Sequence, residues 1–364
     1  MKITKVESIH ISVPYDHGGP LPKADAMPWR NMDSLFIKAE TDDGITGWGE
    51  AFGFACCGIT KVAFDTGVAP LAVGRDPSDI AGLMTDLRRK LHNYGINGPM
   101  SFALSGLDIA LWDIAGQVMG LPLYRLLGGD PIDVVPGYAS LLRYRTPKLV
   151  TEFCEDAASR GHMRIKLHEI GVDEVAAARE AVGPHIALMV DTNCPWTADE
   201  AIAMARQFEP FELTWLEEPV WPPDDAEALA RVRDEGRVPI AAGENAGTLG
   251  DFAHLIDAGA VDFVQPSVIK VGGISEMIKV LVLAAARGVH AAPHSPYFGP
   301  GLIATTHICA SLPAPPAVER FYCDLEASPL GDMIEPEEGH MRVPQGPGLG
   351  LVVDEAILAK YRVG

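Results

Sequence analysis

Along the first fifty residues, apolar and polar positions alternate with a period of two, which predicts strands. A Gly/Pro-rich stretch over residues 14 to 33 interrupts the alternation and reads as a loop. The segment FIKAETDDGITGWGEA, residues 36 to 51, reads as a hairpin whose Asp-Asp-Gly supplies the turn. From about Gly58 to Leu127 the apolar period lengthens toward 3.6. In SFALSGLDIALWDIAGQVMG, Leu104, Leu107, Ala110, Leu111 and Ile114 fall on one helical face, and Gly120 with Pro122 ends the helix. A small meander followed by a helical layer is therefore expected.

Beyond Val134 the rhythm changes again. Eight short β-rich runs (VVPGYA, MRIKLH, IALMVD, LTWLEE, VPIAAGE, VDFVQP, VHAAPH and AVERFY) alternate with helical stretches up to Tyr322. Strands alternating with helices build a parallel sheet, and eight such units close into an α/β barrel. The final stretch, GLGLVVDEAILAKY, reads as a strand and a helix returning to the first layer.

Composition narrows the classes. At 364 residues, with 48% hydrophobic and 21% charged positions, the chain has the make-up of a globular protein with a large core. A formal charge of −20 repels phosphate backbones and anionic membrane surfaces, so neither nucleic acid nor membrane is expected as a partner. An anionic substrate must then be captured by local positive charge, such as a bound cation. The six cysteines follow no framework spacing, there is no leader pattern and apolar runs of about twenty residues are missing, which points to the cytoplasm.

In a barrel of this kind the chemistry lies where the strands end. Asp191 ends the third run, Glu217 the fourth and Glu244 the fifth, 26 and 27 residues apart, so neighbouring strands each offer one acid at the same level. Three crowded carboxylates repel one another unless a cation neutralises them. Oxygen-only ligands, with no Cys or His among them, favour Mg²⁺, with Mn²⁺ as the alternative, over zinc. Lys166 and His168, two apart at the end of the second run, point to one face and either could act as general base. A lysine near a metal and partly desolvated is expected to have its pKa lowered toward neutrality. His294 ends the seventh run, across the barrel, where it could reach the opposite face of a substrate. Lys270 is expected to pack outside the pocket.

Together these motifs resemble the enolase superfamily, more closely its mandelate racemase and muconate lactonizing enzyme branch, and the resemblance covers almost the whole chain. ALSGLDIALWDIAGQVMGLPLYRLLGG, residues 103 to 129, is similar to that branch's capping-domain signature. The resemblance implies a modified TIM barrel, (β/α)7β, over residues 128–330. It also implies an α+β capping domain formed by residues 1–127 together with the C-terminal segment 331–364, with DHGGPLPKADAMPW as a loop over the pocket. Asp191, Glu217 and Glu244 match the family's metal positions, Asn193 a substrate-contacting position, and Glu319 the acid that hydrogen-bonds the substrate carboxylate. Two departures stand out: Lys-x-His replaces Lys-x-Lys, and Ser267 occupies the substrate-site position of an aspartate that pairs with the histidine. The implied activity is removal of the proton α to a carboxylate through an enediolate. Dehydration of a sugar acid or related hydroxy acid to a 2-keto acid is the first expectation, with racemase, epimerase or cycloisomerase chemistry as the alternative and a non-catalytic binding protein as the remote one. The partners implied are a small carboxylate substrate and further copies of the chain in a homo-oligomer.

Overall fold

The computed structural model describes residues 1–21, 23–24 and 27–364. Part of the segment expected to form a loop over the pocket, namely Pro22, Asp25 and Ala26, lies outside the described residues.

The meander is a sheet in which strand Ile3–Asp16 pairs antiparallel with Asn31–Thr41, and that strand pairs with Thr46–Ala51. The predicted hairpin turns at Gly44, whose φ of 80° suits a residue without a Cβ. The strands run further into the Gly/Pro stretch than the sequence suggested, and Pro14 itself pairs with Asn31. Proline gives up only a donor there, and its carbonyl still accepts from Glu326 N at 2.9 Å.

Helix Pro99–Met119 joins the two layers. It starts on a proline and stops at Gly120, left-handed at φ 67°, as its terminal residues dictate. Its apolar face, with Leu104, Leu107, Ala110, Leu111 and Ile114, is buried. Gly49 lies so close to the helix that a Cβ there would meet Gly106 O at 2.0 Å. The polar groups on this helix serve as ties. Asp108 accepts from Ser275 N and Oγ on the barrel side, and Asp113 accepts from Trp48 N at 2.9 Å and Leu349 N at 2.7 Å. Contrary to the sequence expectation, this 21-residue helix is long and apolar enough to cross a membrane, yet it is mostly buried inside the fold.

All eight predicted barrel strands form. They are Val134–Ser140, Arg164–Leu167, Ala187–Asp191, Trp215–Glu217, Ile240–Ala242, Phe263–Val264, His290–Ala291 and Val318–Phe321, parallel throughout, with the eighth beside the first. This is a TIM-like barrel with an antiparallel capping layer on its N-terminal side of the sequence. The seventh and eighth strands share no ladder. Ser295 joins them instead: its Oγ donates to Glu319 O and accepts from Glu319 N, each at 3.1 Å, and its own N–H reaches Glu319 Oε2 at 3.2 Å.

After the barrel, His340–Arg342 adds antiparallel to the first barrel strand, a pairing with no sequence signal. The strand expected in GLGLVV does not form. Gly348 and Gly350 have φ of 69° and 65°, outside strand geometry, and Gly348 spends its N–H and C=O on Leu121 and Leu123. The closing helix Glu355–Tyr361 does return to the meander, where Val363 N donates to His10 O at 2.8 Å.

Candidate active site

Parallel register sets the level of the acids. Asp191 and Glu217 are the last residues of the third and fourth strands and are direct partners, while Glu244 follows the fifth strand after Gly243, whose φ is 136°. One oxygen from each of the three carboxylates lies within 4.8 Å of the others. Octahedral Mg²⁺ with bonds of about 2 Å needs ligand oxygens about 3 to 4 Å apart, so this cluster fits a hard divalent cation with little adjustment. The donor set is oxygen only, which suits Mg²⁺ over zinc.

Around the acids stand the expected cations. Lys166 Nζ lies 2.9 Å from Glu217 Oε1, 3.4 Å from Asp191 Oδ2 and 2.8 Å from Glu319 Oε1, and the side chain is 1% exposed. Its pKa in the ion-free site is set by the acids around it. Burial favours the neutral amine, but without a cation the charges of Glu217, Glu319 and Asp191 outweigh it and hold the ammonium well above the usual lysine value. His168 Nε2 is 3.3 Å from Asp191 Oδ2, and its Nδ1 is 2.6 Å from Leu141 O. A carbonyl only accepts, so Nδ1 carries a proton and Nε2 is the nitrogen turned to the acids. On the far side His294 Nε2 meets Glu244 Oε2 at 2.9 Å. Burial raises all three acids, but Lys166 and His168 pull Asp191 well below the carboxylate range, and His294 holds Glu244 down at about 2. Glu217 goes the other way, pushed well up by burial and by Asp191.

Asn193 is positioned by the first acid, donating to Asp191 Oδ1 from both its N and Nδ2, at 2.9 and 3.0 Å. Glu319 is fully buried, receives Ser140 Oγ at 2.8 Å and is held below the usual range, against burial, chiefly by Lys166. Ser267 stands elsewhere than expected. It is fully buried, does not line the cavity and is hydrogen-bonded to Tyr297 OH at 2.9 Å; that hydroxyl in turn donates to the main-chain oxygen of His294. His294 Nδ1 therefore has no hydrogen-bond partner among the described residues. Lys270 lies off the cavity, with Nζ 4.7 Å from the centre of the Phe52 ring.

Lys166, His168, Asp191, Asn193, Glu244, His294 and Glu319 line a cavity of about 280 Å³. Trp29 and Phe54 from the capping layer meet Phe321 of the eighth strand, with ring centres 5.4 to 6.3 Å apart, and form an apolar roof. Excluding water strengthens every charge interaction beneath it. The sequence reading missed this roof and also Arg143 and Arg145, which line the cavity beyond the first strand. Applying the strand-end rule to the first strand as well as the others finds LLRYR at once.

Models of two domains match the chain: the mandelate racemase / muconate lactonizing enzyme N-terminal domain over residues 25–128 and the enolase C-terminal domain-like family over residues 149–357. The chain is similar to D-galactarolactone cycloisomerase of Agrobacterium fabrum, at 33% identity over 100% of this chain and 99% of that protein. It is also similar to arabinonate dehydratase of Saccharolobus solfataricus, at 32% over 91% of each. Among solved structures, a racemase from Streptomyces coelicolor with bound magnesium superposes with a TM-score of 0.86 at 30% identity, covering 99% of this chain and 100% of that one.

Proposed function

The chain belongs to the enolase superfamily, in its mandelate racemase and muconate lactonizing enzyme branch, and from that premise we propose that it takes the α-proton from a sugar acid and expels the β-hydroxyl to give a 2-keto acid. One observation carries this reading: three carboxylates on consecutive barrel strands lie between Lys166 and His168 on one side and His294 on the other.

Asp191, Glu217 and Glu244 would hold Mg²⁺, or Mn²⁺ in its place. When bound, the ion supplies fixed positive charge against the enediolate that proton removal creates, the costliest feature of the reaction. Lys166 takes the α-proton. Its own proton is held by carboxylates, and that hold weakens once two of them face a cation, so Lys166 becomes a base in the loaded site. His168 is the alternative base through Nε2. Glu319 fixes Lys166 and orients the substrate carboxylate, and Asn193 donates to a substrate oxygen. His294, on the opposite face, protonates the departing hydroxyl.

Cycloisomerisation is the second reading, favoured by the end-to-end similarity to D-galactarolactone cycloisomerase. It needs the same base and the same stabilised anion. A two-base racemase is less well supported, because Ser267 supplies no carboxylate and His294 Nδ1 is unpartnered. We place the working enzyme in the cytoplasm as a homo-oligomer, since all six cysteines are free and the family resemblance implies assembly.

Incubating the Mg²⁺-loaded protein with aldonic and aldaric acids and their lactones, and reading products by mass and by a carbonyl reagent, tests the proposal. A keto acid lighter than substrate by one water supports dehydration, and an isobaric product moves the assignment to cycloisomerase. Absence of any product across both series overturns the proposal.

A further inference from the structure

The cavity lining carries charge of both signs. Besides Asp191, Glu244, Glu319 and Lys166, the lining holds Trp29, Phe54, Leu142 and Phe321 with two arginines, Arg143 and Arg145. Both arginines follow the first barrel strand, three and five residues beyond its last residue, Ser140, and so stand further from the barrel than Lys166 or Asp191.

Arg143 is half-buried. It donates from Nε to His168 O and from Nη2 toward Thr192 O at 3.5 Å, both main-chain contacts; Glu169 and Asp191 act on its charge from a distance, and no carboxylate lies within ion-pair distance among the described residues. Arg145 is exposed at the mouth of the cavity, its backbone N–H tied to Glu169 Oε1 at 3.0 Å, and its guanidinium makes no hydrogen bond or ion pair among the described residues. Acids outnumber bases 49 to 29 in this chain, and Arg75, Arg88, Arg231 and Arg320 all pair with carboxylates. Arg143 and Arg145 differ from these four in lining one cavity without an ion pair among the described residues.

A neutral polyol tail has hydroxyls that both donate and accept, and it is recognised by a mixture of acceptors and donors. Beside the apolar side chains, the cavity lining offers as polar side-chain donors the two guanidinium groups and Trp29 Nε1, which is buried without a partner among the described residues. Guanidinium is the side chain whose planar fork matches a carboxylate. We infer that Arg143 and Arg145 form a second anion subsite, which takes the distal carboxylate of a dicarboxylic sugar acid while its first carboxylate lies at the acid cluster. The inference rests on the proposed α-proton chemistry for the placement of the first carboxylate, and it narrows the substrate class from aldonic to aldaric acids and their lactones.

Binding and chemistry are read separately in the test. Calorimetry of the full-length protein in Mg²⁺ buffer compares adipate with hexanoate, unreactive probes that differ by one carboxylate. Wild type should bind adipate at least about tenfold tighter, and Arg143→Gln should erase most of that preference. Arg145→Gln, at an exposed position, should reduce it in the same direction, and Arg143→Lys should restore part of it. Equal binding of the two probes by wild type, or a preference that survives both Gln substitutions, overturns the subsite. α-Proton exchange on matched aldarate and aldonate pairs reports the chemistry: exchange on the aldarate supports both proposals. Exchange confined to the aldonate overturns the subsite alone, and exchange on neither overturns the proposed function as well.

Discussion

Lys166 Nζ and Glu319 Oε1 are 2.8 Å apart, a buried pair that spans from the second barrel strand to the eighth across the first. The same ammonium also faces Glu217 and Asp191, so one lysine is the shared counter-charge of two acids that could hold a cation and one that could not.

Lys166 and the divalent ion therefore compete for the same negative charge. Replacing Lys166 with Met should tighten Mg²⁺ binding by about tenfold while eliminating turnover, an outcome that calorimetry and a keto-acid assay can read side by side. Weaker binding in the variant would mean that the lysine organises the acids instead of opposing the cation.

Removing the metal should cost stability. Mg²⁺ at about a hundred times its dissociation constant should add about 2.7 kcal/mol, seen as a melting temperature several degrees above that in EDTA. Asp191→Asn should lose most of that increment, because the cluster then offers two charges in place of three.

His294 and Lys166 should fail differently. In D₂O, His294→Asn should still exchange the α-proton but form keto acid about a hundredfold more slowly, since only departure of the hydroxyl needs its proton. If both steps fall together, His294 acts before the enediolate forms and the dehydratase assignment of roles is wrong.

Glu50 carries a pH dependence that is independent of catalysis. It is 2% exposed, accepts from Gly301 N at 2.9 Å at the start of barrel helix Pro300–Ala310, and burial pushes its pKa from 4.5 up to about 7. The folded state then binds more protons than the unfolded state between those values, so stability should fall as pH rises from 4.5 through 7, by at most about 3 kcal/mol. Glu50→Gln should flatten that slope in urea denaturation, whereas an unchanged slope would assign it to other groups, with Asp108 and Asp113 as the next to test.

What the sequence made legible follows from how local each signal is. The eight barrel strands are short β-rich runs, and Asp191, Glu217 and Glu244 mark the ends of three of them, so both the barrel and its acids could be read directly. The tail segment GLGLVV has strand composition, yet Gly348 and Gly350 adopt positive φ and the polar groups of Gly348 pair with Leu121 and Leu123 in the loop after helix Pro99–Met119, a choice that only tertiary contacts make. The same holds for Ser267, whose hydroxyl is engaged by Tyr297, thirty residues away. The hold of three facing acids on Lys166 was not legible either, because Glu217 and Glu319 reach it from strands distant in sequence. Arg143 and Arg145 carry no motif and become visible only when the first strand's end is examined as the others were.

Proton NMR in D₂O tests the central claim most directly, following the α-proton of aldaric and aldonic acids with Mg²⁺-loaded wild type and with Lys166→Ala. The account predicts Mg²⁺-dependent loss of that resonance on at least one acid, accompanied by keto acid, with a rate lower by about 10² to 10⁴ in the variant. Persistence of the α-proton on every acid, or equal loss in the wild type and the variant, would contradict it.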